Sequence, residues 1–224
     1  MKKLIFCLVA FLAIELSSCN KKDDPTTGFS EEIQKIVPDE ILKDVRAKGM
    51  VINEGKVPPN IEGNYVVTPF ELLSPFGDDD PYEKGLIIDD YYYKFSGQSS
   101  DKKKVVINYG NGSGDQGSGI GSFVSGNGNS FTIFSETSGV ESGIQYVSLQ
   151  MFSGELTANK EIKNFQIALY LKEKNDPSGI LMPLNAGRIW IDGDKISERT
   201  STYYGMLRPA TRLSNKGGLV GTSK

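Results

Sequence analysis

The chain has 224 residues, 25 of them lysine or arginine and 28 aspartate or glutamate, which gives a net charge of −3. Nucleic-acid partners require a basic surface, so this balance argues against one. Histidine is absent and there are only two cysteines, Cys7 and Cys19. Zinc sites and the common histidine-dependent catalytic arrangements are therefore excluded, and we expect no catalytic residue and no cofactor.

The N-terminus has the pattern of an export signal. Two lysines precede an apolar run, Leu4 to Ile14, that is shorter than the about 20 residues of a membrane-spanning helix. The next residues, Leu16-Ser17-Ser18-Cys19, resemble the lipobox of bacterial lipoproteins. The resemblance implies that residues 1–18 are a signal peptide and that Cys19 becomes the N-terminus, carrying fatty acyl chains such as palmitate. An ordinary secretory signal with a chance cysteine is the alternative.

Residues 19–28 form the predicted lipidated tether, which is polar and interrupted by Pro25. Within it, Lys22, Asp23 and Asp24 resemble the tag that exports lipoproteins of Bacteroidota to the outer face of the outer membrane. The resemblance implies a lipid-anchored protein that faces the cell surface. A solvated linker would show the same charges, and this alternative stays open.

A helical segment is predicted over residues 29–49. Ser30 can cap its start, apolar residues recur at helical spacing, and Gly49 is a stop signal. Pro38 should divide the segment and begin a second helix. The apolar stripe predicts packing against the following domain, although a membrane-surface or partner-binding helix has the same pattern.

Residues 50–199 have the pattern of a β domain, because β-branched and aromatic residues alternate with polar ones between turn residues. Phe165 to Leu171, Val147 to Met151 and Val105 to Tyr109 are the clearest such runs, each predicting one inward and one outward face. Asn127-Gly128-Asn129 and Asp192-Gly193 have hairpin chemistry. Further runs lie near residues 63–69, 88–97, 117–126, 130–137 and 188–197.

About eight strands joined by short turns predict an antiparallel up-and-down β-barrel, since closure removes exposed edges. Ile61-Glu62-Gly63-Asn64-Tyr65 is similar to the Gly-x-aromatic start of lipocalin-like (calycin) barrels, with tyrosine where that family usually has tryptophan. A two-sheet β-sandwich is the alternative fold. The polar tail, residues 200–224, is expected to be mostly loosely ordered.

Three aromatic residues are the predicted ligand contacts. Tyr91, Tyr93 and Trp190 lie in strand-like runs, and aromatic faces can stack on sugars or line an apolar pocket at the open end of a barrel. Simple packing within the sheet is the competing explanation for these residues.

Acidic and glycine-rich segments offer weaker candidates. Asp78-Asp79-Asp80 could bind calcium, although it lacks the spacing of a known calcium loop. Gly110 to Gly121 is rich in glycine, but no Gly-Lys-Ser or Gly-Lys-Thr follows, so we expect a mobile loop or bulged strand there and no nucleotide. Asp89-Asp90 is expected to be a solvated pair.

These patterns predict a membrane-anchored, non-catalytic lipoprotein whose barrel binds a small apolar or glycan ligand. A structural lipoprotein that docks to another envelope protein is the first alternative. A carboxylate-based hydrolase, which would need two facing carboxylates about 5 to 10 Å apart, is a weaker one.

Overall fold

The computed structural model describes residues 28–112, 114–202 and 218–222. Within these ranges, two helices are followed by twelve strands. The helices are α1 (Glu31–Ile36) and α2 (Asp39–Ala47). The strands are β1 (Lys56–Val57), β2 (Gly63–Val67), β3 (Phe70–Ser74), β4 (Ile87–Ile88), β5 (Tyr91–Ser96), β6 (Lys104–Gly110), β7 (Gln116–Asn127), β8 (Ser130–Glu141), β9 (Ile144–Leu156), β10 (Ile162–Lys174), β11 (Gly187–Asp192) and β12 (Ile196–Ser197).

All twelve strands belong to one strongly curled sheet with the order β2-β5-β6-β7-β8-β9-β10-β11-β3-β4. Neighbouring strands in this order pair antiparallel. Two short strands lie off the order: β1 pairs parallel with β7, and β12 pairs antiparallel with the first residues of β10. The predicted mainly β, antiparallel fold is confirmed. Twelve strands are present where about eight were predicted. β1 and β3 lie outside the predicted runs, and two predicted runs are interrupted: 88–97 between β4 and β5, and 188–197 between β11 and β12. Pro69 has no N–H for the ladder and separates β2 from β3, and the turn after Asp192 separates β11 from β12.

The turn at Gly128 joins β7 to β8 as predicted, and its φ of +63° is the conformation that glycine adopts at little cost. The Asp192-Gly193 step is different. Both β11 and β12 pair with β10 and not with each other, so the hairpin predicted there is wrong. Within the segment Gly110 to Gly121, Gly110 ends β6 and Gln116 to Gly121 form a bulged part of β7, which is one of the two expected forms.

The helices cover part of the outer face of the sheet. Ser30 caps α1 by accepting a hydrogen bond from the Ile33 N–H at 3.5 Å, and Pro38 is the N-cap of α2. Phe29 contacts the ring of Phe134 edge to face, with 5.4 Å between centroids. The predicted packing against the β domain is therefore confirmed. The apolar residues of this layer are Ile33, Val37, Leu42, Val45, Met50, Phe134, Leu149, Met151, Ala168, Tyr170 and Ile189.

The inner face holds the larger core, which is dominated by aromatic rings. Phe165 and its alternate partners up to Leu171 point into it, as the alternation predicts. Their intervening neighbours Ala168 and Tyr170 do not face water, because the helices cover them. On β9 the predicted assignment of faces is wrong. Leu149 and Met151 pack under the helices on the outer face, and the polar residues Ser148 and Gln150 face inward.

Among the described residues, neither helix is long and apolar enough to cross a membrane.

Candidate functional site

The three aromatic residues predicted to contact a ligand lie inside the core, each no more than 1% exposed. Tyr93 is stacked beside Tyr91 and Tyr109, with 6.3 and 6.1 Å between centroids. Trp190 packs against Phe70 at 5.3 Å. The expectation that these rings line an open end is corrected, because other core side chains cover them. The Tyr93 hydroxyl and the Trp190 N–H have no hydrogen-bond partner among the described residues.

The three consecutive aspartates do not form a cation site. Asp80 is held by Arg188, whose Nη2 and Nε lie 2.6 and 2.8 Å from its two carboxylate oxygens, while Asp78 and Asp79 are exposed. Within the described ranges, no group of three or more potential metal-ligating side chains is present. The calcium prediction is corrected for this reason.

The predicted lipidation residue Cys19 and the export-tag residues Lys22, Asp23 and Asp24 lie outside the described residues.

A buried polar network occupies one half of the inner face. The Asp115 carboxylate accepts hydrogen bonds from the hydroxyls of Tyr91 at 2.7 Å and Tyr146 at 2.9 Å. The Tyr146 hydroxyl also lies 2.8 Å from that of Tyr109, which accepts from Gln150 at 2.9 Å. All five residues are buried. The network therefore joins strands β5, β6, β9 and the turn before β7 through their side chains.

Small residues make room for these tyrosines. A Cβ on Gly139 would lie 2.5 Å from Cζ of Tyr146, and one on Gly117 would collide with the Tyr109 hydroxyl. Glycine is therefore needed at both positions for packing, although neither has a positive φ. Gly117, which belongs to the glycine-rich segment Gly110 to Gly121, thus makes room for the Tyr109 side chain.

Next to this network lies a second polar group, formed by Glu141, Arg188 and Asp80. The Arg188 guanidinium is fully buried and stacks 4.0 Å over the ring of Tyr82. Burying charged groups is costly unless they are paired, and here the Arg188–Asp80 pair supplies the compensation. Glu141 accepts a hydrogen bond from the Val220 N–H at 2.9 Å. The chain therefore returns to this end of the sheet close to its C-terminus.

Burial changes the acidity of this region. Desolvation raises the pKa of Glu141 to about 8, and the charge of Asp115 adds to the effect. Desolvation also raises the pKa of Asp115 to about 6, although the hydrogen bonds from Tyr91 and Tyr146 oppose it. Burial also acts to raise the pKa of Asp80, yet hydrogen bonds from Arg188 and from two backbone N–H groups hold that pKa below its usual value. Near neutral pH the inner face therefore favours a protonated Glu141 beside an ionised Asp115 and an ionised Asp80.

The outer face carries an open groove of about 740 Å³ beside the helix-covered region. It crosses strands β6 to β10, and most of its side chains end in amide, hydroxyl or charged groups. The lining residues are Asn108, Gln116, Gly117, Ser118, Ser138, Gly139, Val140, Gln145, Tyr146, Val147, Glu173, Lys174 and Asn175. This composition offers many hydrogen-bond donors and acceptors beside a comparable area of apolar surface, which suits a ligand that has both polar and apolar faces.

Neither the network nor the groove was predicted from the sequence. Their residues are polar and lie on strands, where alternation normally assigns such side chains to water. One signal was present: Gln116 to Ser118 and Ser138 to Gly139 combine small and polar residues in two neighbouring strands, which is unusual for a simple half-buried sheet.

A comparison with protein-family models, curated proteins and solved structures finds no match to this chain.

Proposed function

We propose that this protein is a lipid-anchored, surface-exposed lipoprotein that binds a glycan-like ligand without catalysis, on the outer face of its β domain. The observation that carries the proposal is the groove across β6 to β10, with its amide and hydroxyl side chains. The hydroxyl groups of a sugar both donate and accept hydrogen bonds, and asparagine, glutamine and serine side chains do the same. An apolar ligand would leave these groups unpaired, so the groove favours the glycan alternative over the apolar one.

The filled inner face supports the outer location of the site. In a sheet curled this tightly, the interior either fills with side chains or holds one small ligand. Here aromatic rings pack against one another, as in the 5.6 Å contact between Tyr93 and Phe152 and the 6.5 Å stack of Phe152 on Phe165. A ligand bound from outside requires none of these contacts to break.

We further propose that the curled sheet is a closed, lipocalin-like barrel of eight strands. The register supports this for β2–β3 and β4–β5, since Val67 pairs with Tyr91 and Phe70 with Ile88. Two residues lie between these pairs on each strand, so the two segments have the register of one continuous hairpin across Pro69.

The closure of the barrel on its other side is supported by β11 and the residues after it. Phe70 pairs with Asp192 on β11, and Tyr65 forms a bridge to Arg199, just after β12. Both β11 and β12 also pair with β10. If β2–β3, β4–β5 and β11–β12 are each counted as one interrupted strand, there are eight strands. Each of them then pairs with the strands before and after it in the sequence, all the way around the barrel, and β1 remains outside it.

The lipid anchor is supported by the lipobox alone. Two or three acyl chains would hold the protein on a membrane almost permanently, since each buried methylene contributes about 0.8 kcal/mol. Replacing Cys19 with alanine should move the protein from the membrane fraction to the soluble fraction, whereas Cys7→Ala, within the signal, should not. Membrane retention of the Cys19 variant would contradict the anchor. Changing Lys22, Asp23 and Asp24 to alanine should remove access of external protease while lipidation persists; unchanged access would contradict the export tag.

The groove is tested with an array of bacterial and host glycans and the full chain. Gln145→Ala and Asn108→Ala should each weaken binding of any glycan retained by the wild type by about 5- to 10-fold, the size of one lost hydrogen bond. The control is Asn159→Ala, an exposed residue in the turn between β9 and β10. A glycan bound equally by all variants would remove the groove from the proposal. A protein that binds no glycan would contradict the proposed ligand class and leave docking to another envelope protein as the better explanation.

A further inference from the structure

The described chain begins at one end of the curled sheet. The Gly28 carbonyl accepts a hydrogen bond from the Gly55 N–H at 3.0 Å, and the Gly55 carbonyl accepts one from the Gly126 N–H at 3.1 Å. Gly126 is the next-to-last residue of β7, just before the turn that joins β7 to β8. Alternate connections of an antiparallel sheet lie at the same end. This end, which we name the tether end, therefore also holds the connections at residues 97–103 and 157–161.

The proposed anchor residue cannot lie far from the tether end. Cys19 precedes Gly28 by nine residues, and a chain spans at most about 3.3 to 3.6 Å per residue, so their largest possible separation is about 30 Å. The opposite end lies about 40 Å away along strands β9 and β10, which have 13 residues each and rise about 3.3 Å per residue. The tether end is therefore the one that a lipid anchor holds next to a membrane.

The two ends of the sheet differ in charge. At the tether end, residues 97–103, 157–161 and 193–195 contain four lysines and three acidic residues, and Lys104 and Lys163 follow at the start of β6 and β10. At the opposite end, which we name the groove end, the connections contain six acidic residues and one lysine. These connections are residues 75–86, 111–115, 142–143 and 175–186. A negatively charged surface would therefore attract the tether end and repel the groove end.

Three lysines at the tether end occupy positions where lysine is costly. Lys102, Lys160 and Lys195 have φ values of +62°, +67° and +72°, in the left-handed region that glycine and asparagine adopt more readily. Their side chains are exposed, so core packing does not account for them. Other tight turns of the sheet have glycine at such a position, as at Gly128 and Gly143. A lysine in each of three turns at one end indicates a requirement for positive charge there.

We propose that the tether end is an interaction surface for anionic lipid headgroups, and that the groove end points away from the membrane. This inference rests on the proposed lipid anchor. Lysines are attracted to an anionic membrane within about one Debye length, roughly 10 Å at 0.1 M salt. The groove lies towards the groove end, because Gln116 begins β7 and Gln145 follows the turn between β8 and β9. A glycan in the external medium can therefore reach the groove without meeting the membrane.

The orientation is measured with the full lipoprotein in vesicles of phosphatidylcholine that contain about 30% phosphatidylglycerol and a nitroxide on the lipid headgroup. Ser100→Cys places a fluorescent label at the tether end, and Ser178→Cys places it at the groove end; both serines are exposed. The nitroxide should quench the Ser100→Cys label at least about 3-fold more strongly, because the two ends are about 40 Å apart.

Failure of the anchor is recognised separately. An acylated Cys19 cannot take up the label, so a parent protein that is labelled without an introduced cysteine would contradict the anchor. After subtraction of the parent signal, the comparison of the two labels on anionic vesicles would still decide whether the tether end faces the lipid.

The charges are tested by replacing the three turn lysines together, Lys102→Asn, Lys160→Asn and Lys195→Asn. Asparagine accepts the left-handed conformation, so this variant should be no less stable than the wild type in urea denaturation. The difference in quenching between the two labels should fall below about 1.5-fold, because the charges that attract the tether end are removed.

The matched control removes three lysines elsewhere on the domain and should keep a difference of at least about 3-fold, since it leaves the tether end intact. Its changes are Lys43→Gln, Lys84→Gln and Lys172→Gln. Equal quenching of both labels in the wild type would overturn the proposal. So would an unchanged difference in the asparagine variant, which would mean that the tether alone sets the orientation. A Ser100→Cys label shielded from iodide in native envelopes but not in protein-free vesicles would also overturn it, by assigning the tether end to a protein partner.

Discussion

The two halves of the inner face are built from different chemistry on the same strands. Around Phe95, Phe152 and Phe165 the interior is apolar, and rings pack edge to face or stacked at 6.1 to 6.5 Å. Around Asp115 and Glu141 the interior is polar, and every contact depends on a specific partner. The apolar half tolerates changes that conserve volume, whereas the polar half depends on single hydrogen bonds. The two halves should therefore respond differently to substitution.

The largest test of this contrast removes the central cation of the polar half. Arg188→Ala leaves the Asp80 carboxylate buried without its partner, so we expect a loss of about 3 to 5 kcal/mol in the free energy of unfolding. Arg46→Ala, which breaks an exposed 2.7 Å ion pair with Glu54, should cost less than about 1 kcal/mol. Urea denaturation of both variants measures the difference. Equal costs would mean that the buried pair contributes no more than a surface pair.

A smaller effect is expected where the polar half is most tightly packed. Gly139→Ala places a methyl group against Tyr146 and should destabilise the fold by about 1 to 3 kcal/mol. Gly77→Ala introduces the same methyl group into open space and should change stability by no more than about 0.5 kcal/mol. Comparing the melting temperatures of the two variants separates the steric effect of the added methyl group from the effect of replacing a glycine. Similar melting temperatures would show that the tyrosine ring moves aside.

The polar half should also make stability depend on pH. The folded state raises the pKa of Glu141 to about 8 from 4.5, so the native protein binds its proton more tightly than the unfolded chain. Stability from this group is complete below pH 4.5 and is lost as pH rises towards 8, by at most about 1.4 kcal/mol per pH unit. Glu141→Gln should remove this loss, and Glu136→Gln, exposed on the same strand, should retain it.

The measurement is the free energy of unfolding between pH 6.5 and 8. In that window Asp115, with a pKa of about 6, is largely ionised, and Asp192, with a pKa of about 7, contributes equally to all three proteins. Arg188 keeps its charge throughout. Parallel pH profiles of wild type and Glu141→Gln would show that Glu141 is ionised in the fold at ordinary pH.

The smallest effect on stability is expected outside the core. Gln145→Ala removes an exposed side chain at the groove and should change the free energy of unfolding by less than about 0.5 kcal/mol. Chemical denaturation checks this, and the same variant should lose glycan affinity. A large loss of stability would mean that the groove residue supports the sheet, and its binding data would then need a different variant.

The apolar half could be predicted from the sequence, because alternating residues such as Phe165, Ile167 and Leu169 have the period of a strand with one buried face. The β class, the antiparallel pairing and the capped helices followed from local patterns of the same kind. The helix-covered outer face could not be assigned, since alternation says which residues share a face but not which face is inside. Leu149 and Met151 were placed on the wrong side for this reason.

The polar half could not be predicted either, because its contacts join residues far apart in the chain. Asp115 meets Tyr146 across 31 positions, and Arg188 meets Asp80 across 108. Nothing in the local sequence distinguishes these carboxylates from solvated loop charges. The tail was expected to be mostly loosely ordered, yet Gly218 to Gly221 are buried. Leu219 and Val220 lie in the core, and the two glycines fit where a Cβ would meet the Glu141 carboxyl.

Trp190 is the single tryptophan of the chain and lies between the two halves. Its indole contacts the rings of Phe70 and Tyr82, and the Arg188 guanidinium stacks on the Tyr82 ring. The protein therefore has one built-in optical reporter, free of overlapping emission from other indoles. Its fluorescence maximum should be blue-shifted in the native state, and selective excitation would follow the opening of either half without any label.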